Sequence, residues 1–326
     1  MKFIDMHCDT LAVAYFRHKP DVSALPGAML DVKRMKAGGA MAQFFAIYMF
    51  PPGAEKYMGL ADPIDDVEYV NTSLDIFHAT MKNCAEDIAP AYSGDDVERN
   101  WRAGKMSGLL TFEDGRMIDG SLENLDYYYK KGIRLISLTW NQENCFGYPN
   151  SKDPAVMRQG LKKFGKDAVA RMNELGILVD VSHLSDGGFW DVVEVSKKPF
   201  VASHSNSRDI CPHVRNLTAE MIKALADKGG VAGINYGPEF IHPDKEKGRS
   251  DLEIMGRQIR ELIKQGGVDC VALGSDFDGI EGDVEISSVD KVPLLFDYLH
   301  DLGLSDDDIE KIAWKNVMRV MREVLD

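Results

Sequence analysis

The sequence has no pair of cysteines at the spacing of a zinc ribbon or a redox couple. Its five cysteines, Cys8, Cys84, Cys145, Cys211 and Cys270, are odd in number and far apart, so reduced thiols are the expectation. No run of eighteen apolar residues occurs, which excludes a hydrophobic helix spanning a bilayer. The chain begins MKFIDMHCDT and enters a strand-like pattern at once, without a charged n-region, apolar core and cleavage site. A cytoplasmic protein with no membrane partner is expected. Positive charge is scarce: 38 Lys and Arg stand against 52 Asp and Glu, a formal net charge of -14. Nucleic-acid binding depends on cationic neutralisation of phosphates, so this balance argues against it and favours small ligands or metal cations. The stretch MHCDTLAVAY carries none of the glycines of a dinucleotide-binding loop.

What is present is an alternation of two patterns. Short apolar runs (FIDMH, AQFFAIYM, MSGLLTFE, RLISLTW, ILVDVSH, PFVASHS, GGVAGINY and DCVALGSDFD) read as eight strands. Between them lie amphipathic helical stretches such as GLKKFGKDAVARMNELG and DLEIMGRQIRELIKQGG, closed by glycine before the next strand. Eight such alternations predict a single (β/α)8 TIM-like barrel over residues 1–326, with an open doubly wound sheet as the rival. Two further helical patterns, SSVDKVPLLFDYLHDLG and LSDDDIEKIAWKNVMRVMREVL, are expected to cover the barrel wall.

The polar residues fall at one place in this pattern. The C-terminal tips of the predicted strands carry His7 with Asp9, then Glu113, Trp140, His183, His204, Asn235, and Asp276 with Asp278. In barrel enzymes that rim holds the chemistry. His7 and Asp9 are two apart, so on an extended backbone they face the same way, whereas Cys8 faces away and reads as packing. A lone HxD pair is equally a strand end leaving the core, and a lone Ser-His is more often a packing histidine. Here the pair and two Ser-His tips share one rim. Asp9, Glu113 and Asp276 gathered at one mouth would repel one another unless protonated, and divalent cations remove that conflict. Imidazole and carboxylate donors suit Zn²⁺, with Mn²⁺, Co²⁺ and Fe²⁺ as alternatives. Five ligands are too few to close two separate four-coordinate sites, so one carboxylate has to bridge and water completes the shells, as in catalytic zinc sites. Glu113 and Asp278 also fit turns with the residues beside them, and Arg215 fits either a surface pair or an anion clamp. His18, His78, His213, His242 and His300 are expected in surface or packing roles.

The ordered set DMHCDT, TFEDG, DVSHLS, SHSNSRDICPHVRN and GSDFDG, with the C-terminal KIAWKNVMRVMREVL, resembles the membrane (renal) dipeptidase family of the metal-dependent amidohydrolase superfamily. The resemblance implies a (β/α)8 barrel and a dipeptidase with two zinc ions. It implies that His7 and Asp9 hold one metal, His183 and His204 the other, and that Glu113 bridges them. It further implies Asp276 as proton carrier and Arg215 as anchor for the substrate carboxylate. The family's histidine after the fourth strand is replaced by Trp140, whose indole donates a single hydrogen bond. Asn141, Asn144 and Tyr236 are the candidates for a substitute donor. The implied substrate is a dipeptide with an L- or D-residue at its C-terminal position. Hydrolysis of N-acyl amino acids or cyclic amides, and metal binding without turnover, are the alternatives. A homodimer is compatible with the family.

Overall fold

The computed structural model describes residues 1–58, 63–244 and 248–326. Its centre is a sheet of parallel strands: β1 (Phe3–Asp5), β2 (Ala40–Tyr48), β3 (Ile88–Pro90), β4 (Met106–Glu113), β5 (Ile133–Ser137), β6 (Leu178–Asp180), β7 (Val201–Ala202), β8 (Val231–Ile234) and β9 (Val271–Leu273). They run in the order β2-β1-β9-β8-β7-β6-β5-β4-β3, and β2 also pairs with β4 from Ala42–Ser107 to Tyr48–Glu113. That pairing closes an eight-stranded barrel of the predicted (β/α)8 kind. The strand left outside that ring, β3, is a short addition. β3 pairs only with the first residues of β4, and β5 takes over that edge from Leu110. Its brevity and Pro90 hid it from a pattern reading, and an edge position is where a strand tolerates proline.

Alternation along the strands sorts the core. Ile4, Phe44, Leu109, Leu135, Leu178, Val201, Val231 and Ala272 pack together inside the barrel. Phe45, Ile47, Leu110, Phe112, Ile136, Val179 and Ile234 belong to the larger cluster between barrel and outer helices. Cys8 belongs to that outer cluster as well, in agreement with a packing role. The helices start where the sequence offers caps: the side chains of Ser121, Ser185, Thr218 and Asp251 each accept a backbone N–H of the first turn.

The C-terminal helices divide their work, which corrects the expectation that both cover the wall. The helix Pro293–Asp301 does lie on the wall, with Phe296 against Phe3 at 6.2 Å. The helix Asn316–Leu325 lies across the N-terminal ends of the strands. Its Val317, Met318, Val320, Met321 and Val324 join the barrel-interior cluster. Arg319 donates to the carbonyls of Gly229 and Asp269, Lys198 to that of Val324, and Asn316 to those of Val268 and Val271. The helix's partners, Lys198, Gly229, Val268, Asp269 and Val271, each precede or open a barrel strand, so the amphipathic stripe seals the base. No helix among the described residues is long and apolar enough to cross a membrane.

Candidate metal centre

At the opposite end the strands stop early and deliver their side chains from the residues just beyond. Glu113 is the last residue of β4, and Tyr48 of β2 is its register partner. His183 and Asp276 each lie three residues past a strand and His204 two past. His183 and Asp276 adopt left-handed backbone, with φ of 67° and 63°. Neither is glycine, and such strain gathers at functional sites. Asp9 is not extended as the HxD pattern suggested: it turns into the helix Thr10–Phe16 after Cys8 bridges to Phe277. It still faces His7. Gly279 is required beside it, because a Cβ there would stand 2.1 Å from Asp9 Oδ2 and 2.5 Å from Asp276 Oδ1.

The five proposed ligands and Asp276 converge. His7 Nε2 lies 3.7 Å from Asp9 Oδ2, 3.5 Å from Glu113 Oε2 and 3.7 Å from Asp276 Oδ1. Glu113 turns its other oxygen the opposite way: Oε1 is 2.9 Å from His183 Nε2 and 3.4 Å from His204 Nε2, and these two nitrogens are 3.1 Å apart. Donors around a tetrahedral zinc at about 2.0–2.2 Å stand roughly 3.3–3.6 Å from one another. The observed spacings bracket that value. Three overlapping groups can each hold a cation: His7–Asp9–Glu113, Glu113–His183–His204 and His7–His204–Asp276. Both ring nitrogens of His7 and Oδ1 of Asp9 are buried without a hydrogen-bond partner among the described residues. Buried polar groups are normally partnered, so these fit a metal.

Electrostatics point the same way. Burial, with Asp9 nearby, pushes the Glu113 carboxyl up to about 8, and burial lifts Asp276 to about 6 although His7 opposes it. Burial by itself would lower His7, but Glu113 and Asp9 raise it well above the usual histidine range. His183 and His204 are held well below it, by burial first and then by the positive charges of Arg215 and His7. The rim thus sets two carboxyls that resist ionisation, Glu113 and Asp276, beside two imidazoles that stay neutral, His183 and His204, while His7 is drawn toward its charged form by the negative charge around it, and divalent cations suit this donor set.

Above the ligands opens a cavity of about 580 Å³ lined by Asp9, Glu113, His183, Asp276, Trp140 and Asn141. An aromatic wall of Phe16, Tyr48, Phe50 and Phe240 was not singled out in the sequence. Trp140 joins it edge-on to Tyr48 at 5.0 Å and lies 6.0 Å from the His183 ring. Of the substitute donors, only Asn141 reaches the cavity, with Oδ1 at 3.1 Å from His183 Nδ1. Asn144 is tied to Asp114 and the Leu138 carbonyl, and Tyr236 is buried against Phe277. Asn235, a strand-tip residue without an assigned role, donates to Asp276 Oδ2 at 2.7 Å. Arg215 is buried below the cavity lining: Nη1 donates to Ser205 Oγ at 2.8 Å, Nη2 to the His204 carbonyl at 3.1 Å, and Nε has no partner among the described residues. Asp278 also lines the cavity, and its carboxylate accepts from the Thr10 hydroxyl and from the Met29 N–H, contacts far apart in the chain rather than those of a local turn.

Comparison with known proteins supplies the family. The model of the membrane dipeptidase family, peptidase family M19, matches residues 1–326. The chain is 34% identical over 272 residues to an uncharacterized Klebsiella pneumoniae protein of the pqqA 5′ region, covering 80% of this chain and 98% of that protein. It is 30% identical over 300 residues to the dipeptidase tcpJ of Claviceps purpurea, covering 91% of this chain and 69% of that one. A solved metallopeptidase from Rhodobacter sphaeroides, liganded with a phosphinate mimic of L-Ala-D-Ala, superposes with a TM-score of 0.87 at 26% identity, over 99% of both chains. With its barrel closed and its histidines and carboxylates gathered at one mouth, the chain belongs to the membrane dipeptidase family and so to the metal-dependent dipeptidases.

Proposed function

We propose that this protein hydrolyses dipeptides at a binuclear zinc centre, with His7 and Asp9 holding one ion, His183 and His204 the other, and Glu113 bridging. The observation that carries this reading is the division of Glu113: Oε2 faces His7 and Oε1 faces His183 and His204. Two cations there would supply an activated water and a polarised scissile carbonyl at neutral pH. The chain's own residues do the rest. Asp276, lining the cavity and steered by Asn235, takes the proton of the attacking water and hands it to the leaving amine. Arg215 draws the substrate's C-terminal carboxylate toward the β7–β8 side, where its unpartnered Nε remains to donate. Trp140 and Tyr48 form the facing wall, and the Trp140 indole offers the hydrogen bond to the reacting carbonyl. The L-Ala-D-Ala mimic held by the Rhodobacter relative supports acceptance of a D-residue at the C-terminal position.

The test is hydrolysis of a panel of L-L and L-D dipeptides by zinc-reconstituted protein and by the same protein after chelation. Metal-dependent release of free amino acids, with KM raised at least tenfold in Arg215→Met, is the expected result. A protein holding two metals per chain that releases nothing would refute the dipeptide reading. N-acyl and cyclic amides are the next substrates in that event.

A further inference from the structure

Two buried carboxylates, Asp5 and Asp180, are left without a part in this chemistry, and they occupy equivalent places. Asp5 ends β1 two residues before His7, and Asp180 ends β6 three before His183. Neither has an ion-pair partner among the described residues; both accept only neutral donors, from their own strand tips and from the strands alongside. Asp180 Oδ1 accepts the backbone N–H groups of Ser182 at 3.0 Å and Ser203 at 2.8 Å, and its Oδ2 accepts the hydroxyls of Ser203 at 2.6 Å and Ser137 at 2.5 Å. Asp5 repeats the pattern, taking the N–H groups of His7 at 3.3 Å and Ser275 at 2.9 Å together with the Ser275 hydroxyl. The two latches sit where the barrel's ladder is thinnest. β1 and β9 share the single register pair Asp5–Leu273, and β6 and β7 the single pair Asp180–Val201. Beyond those pairs the four strand tips carry His7, Asp276, His183 and His204.

One latch reaches a ligand directly. Ser203 Oγ lies 2.7 Å from His204 Nδ1. A hydroxyl has one proton, and Ser203 directs it to Asp180, so toward His204 it can only accept. The imidazole proton is thereby held on Nδ1, and the lone pair of Nε2 faces Glu113 and His183. The other two histidines lack such support: His7 Nδ1 has no partner among the described residues, and His183 Nδ1 meets the exposed side chain of Asn141.

We propose that Asp180 and Ser203 are positioning residues of the metal centre, acting through His204 by fixing its Nδ1–H tautomer, while the Asp5–Ser275 latch sets strand register alone. The proposal rests on the metal-centre reading and is independent of the substrate. Two measurements test it, and neither involves turnover. In ¹⁵N-histidine NMR of the wild-type protein, with His204 assigned against His204→Asn, the proton is expected on Nδ1 both metal-free and zinc-loaded; a proton on Nε2 in the metal-free protein would overturn the assignment. In chelator competition, Ser203→Ala and Asp180→Asn are expected to weaken zinc binding about 10–100-fold, as loss of a partner behind a metal ligand does. Ser275→Ala, which faces no imidazole, should change it by about threefold or less. Weakening below threefold in Ser203→Ala, or an equal loss in Ser275→Ala, would also overturn the relay. If Ser203→Ala does not fold, the wild-type tautomer decides. A protein that binds zinc in this way yet cleaves no dipeptide would refute the substrate and leave the relay standing.

Discussion

The two ends of the barrel are built from the same strands on opposite terms. At the base, Val317, Met318, Val320, Met321 and Val324 close the interior with apolar contacts and partnered carbonyls. At the mouth, His7, Asp9, Glu113, His183, His204 and Asp276 are all buried, two on left-handed backbone and two, His7 and Asp9, with atoms that no group among the described residues satisfies. Burying apolar surface stabilises; burying unpaired charge costs. The difference teaches where the fold derives its stability and where that stability is put to use, because the mouth is tolerable only on a scaffold that the base and wall make rigid.

Substitutions at the two ends should therefore separate activity from stability. Asp276→Asn, which keeps shape and removes the proton carrier, is expected to lower kcat by about 10²–10⁴-fold with metal content per chain unchanged. Steady-state kinetics beside metal analysis checks this, and a kcat within threefold of wild type would remove Asp276 from the mechanism. Met321→Ala at the base should do the reverse, costing about 2–5 kcal/mol in denaturant unfolding while kcat per folded chain stays the same. A change in kcat there would mean that base and mouth are not independent.

The smallest effect concerns pH in the chelated protein. Glu113, with a folded value of about 8, and His7, also raised, bind more protons folded than unfolded above pH 6.5. Their contribution to stability is present at lower pH and is lost as pH rises toward 8. His183 and His204, lowered when folded, have no further effect above about 6.5, their ordinary value. The melting temperature of metal-free protein should thus fall between pH 6.5 and 8, and zinc should abolish the fall. A flat profile for the chelated protein would mean that the mouth holds no excess of buried negative charge.

Much of this was legible in the chain itself. Strand tips ending in His, Asp and Glu after apolar runs mark a site because such runs have no structural use for them, and the five ligands found that way do converge. Asp5 and Asp180 were equally visible, inside FID and LVD, but nothing local distinguishes a latch from a strand-end carboxylate. The aromatic wall was illegible for a related reason: Phe16, Tyr48, Phe50 and Phe240 come from distant segments, and an aromatic at a strand end reads as core until its neighbours are known.

The sequence by itself determined the alternation of strands and helices, the closing number of strands and the kinds of donor at their tips, since periodicity and residue chemistry are local properties. Only the tertiary structure decided which oxygen of Glu113 faces which histidine, that the last helix plugs the base, and that Asp180 reaches His204 through Ser203. Those depend on the register between strands far apart in the chain, and side-chain distances of about 3 Å are set by that register rather than by any neighbouring residue.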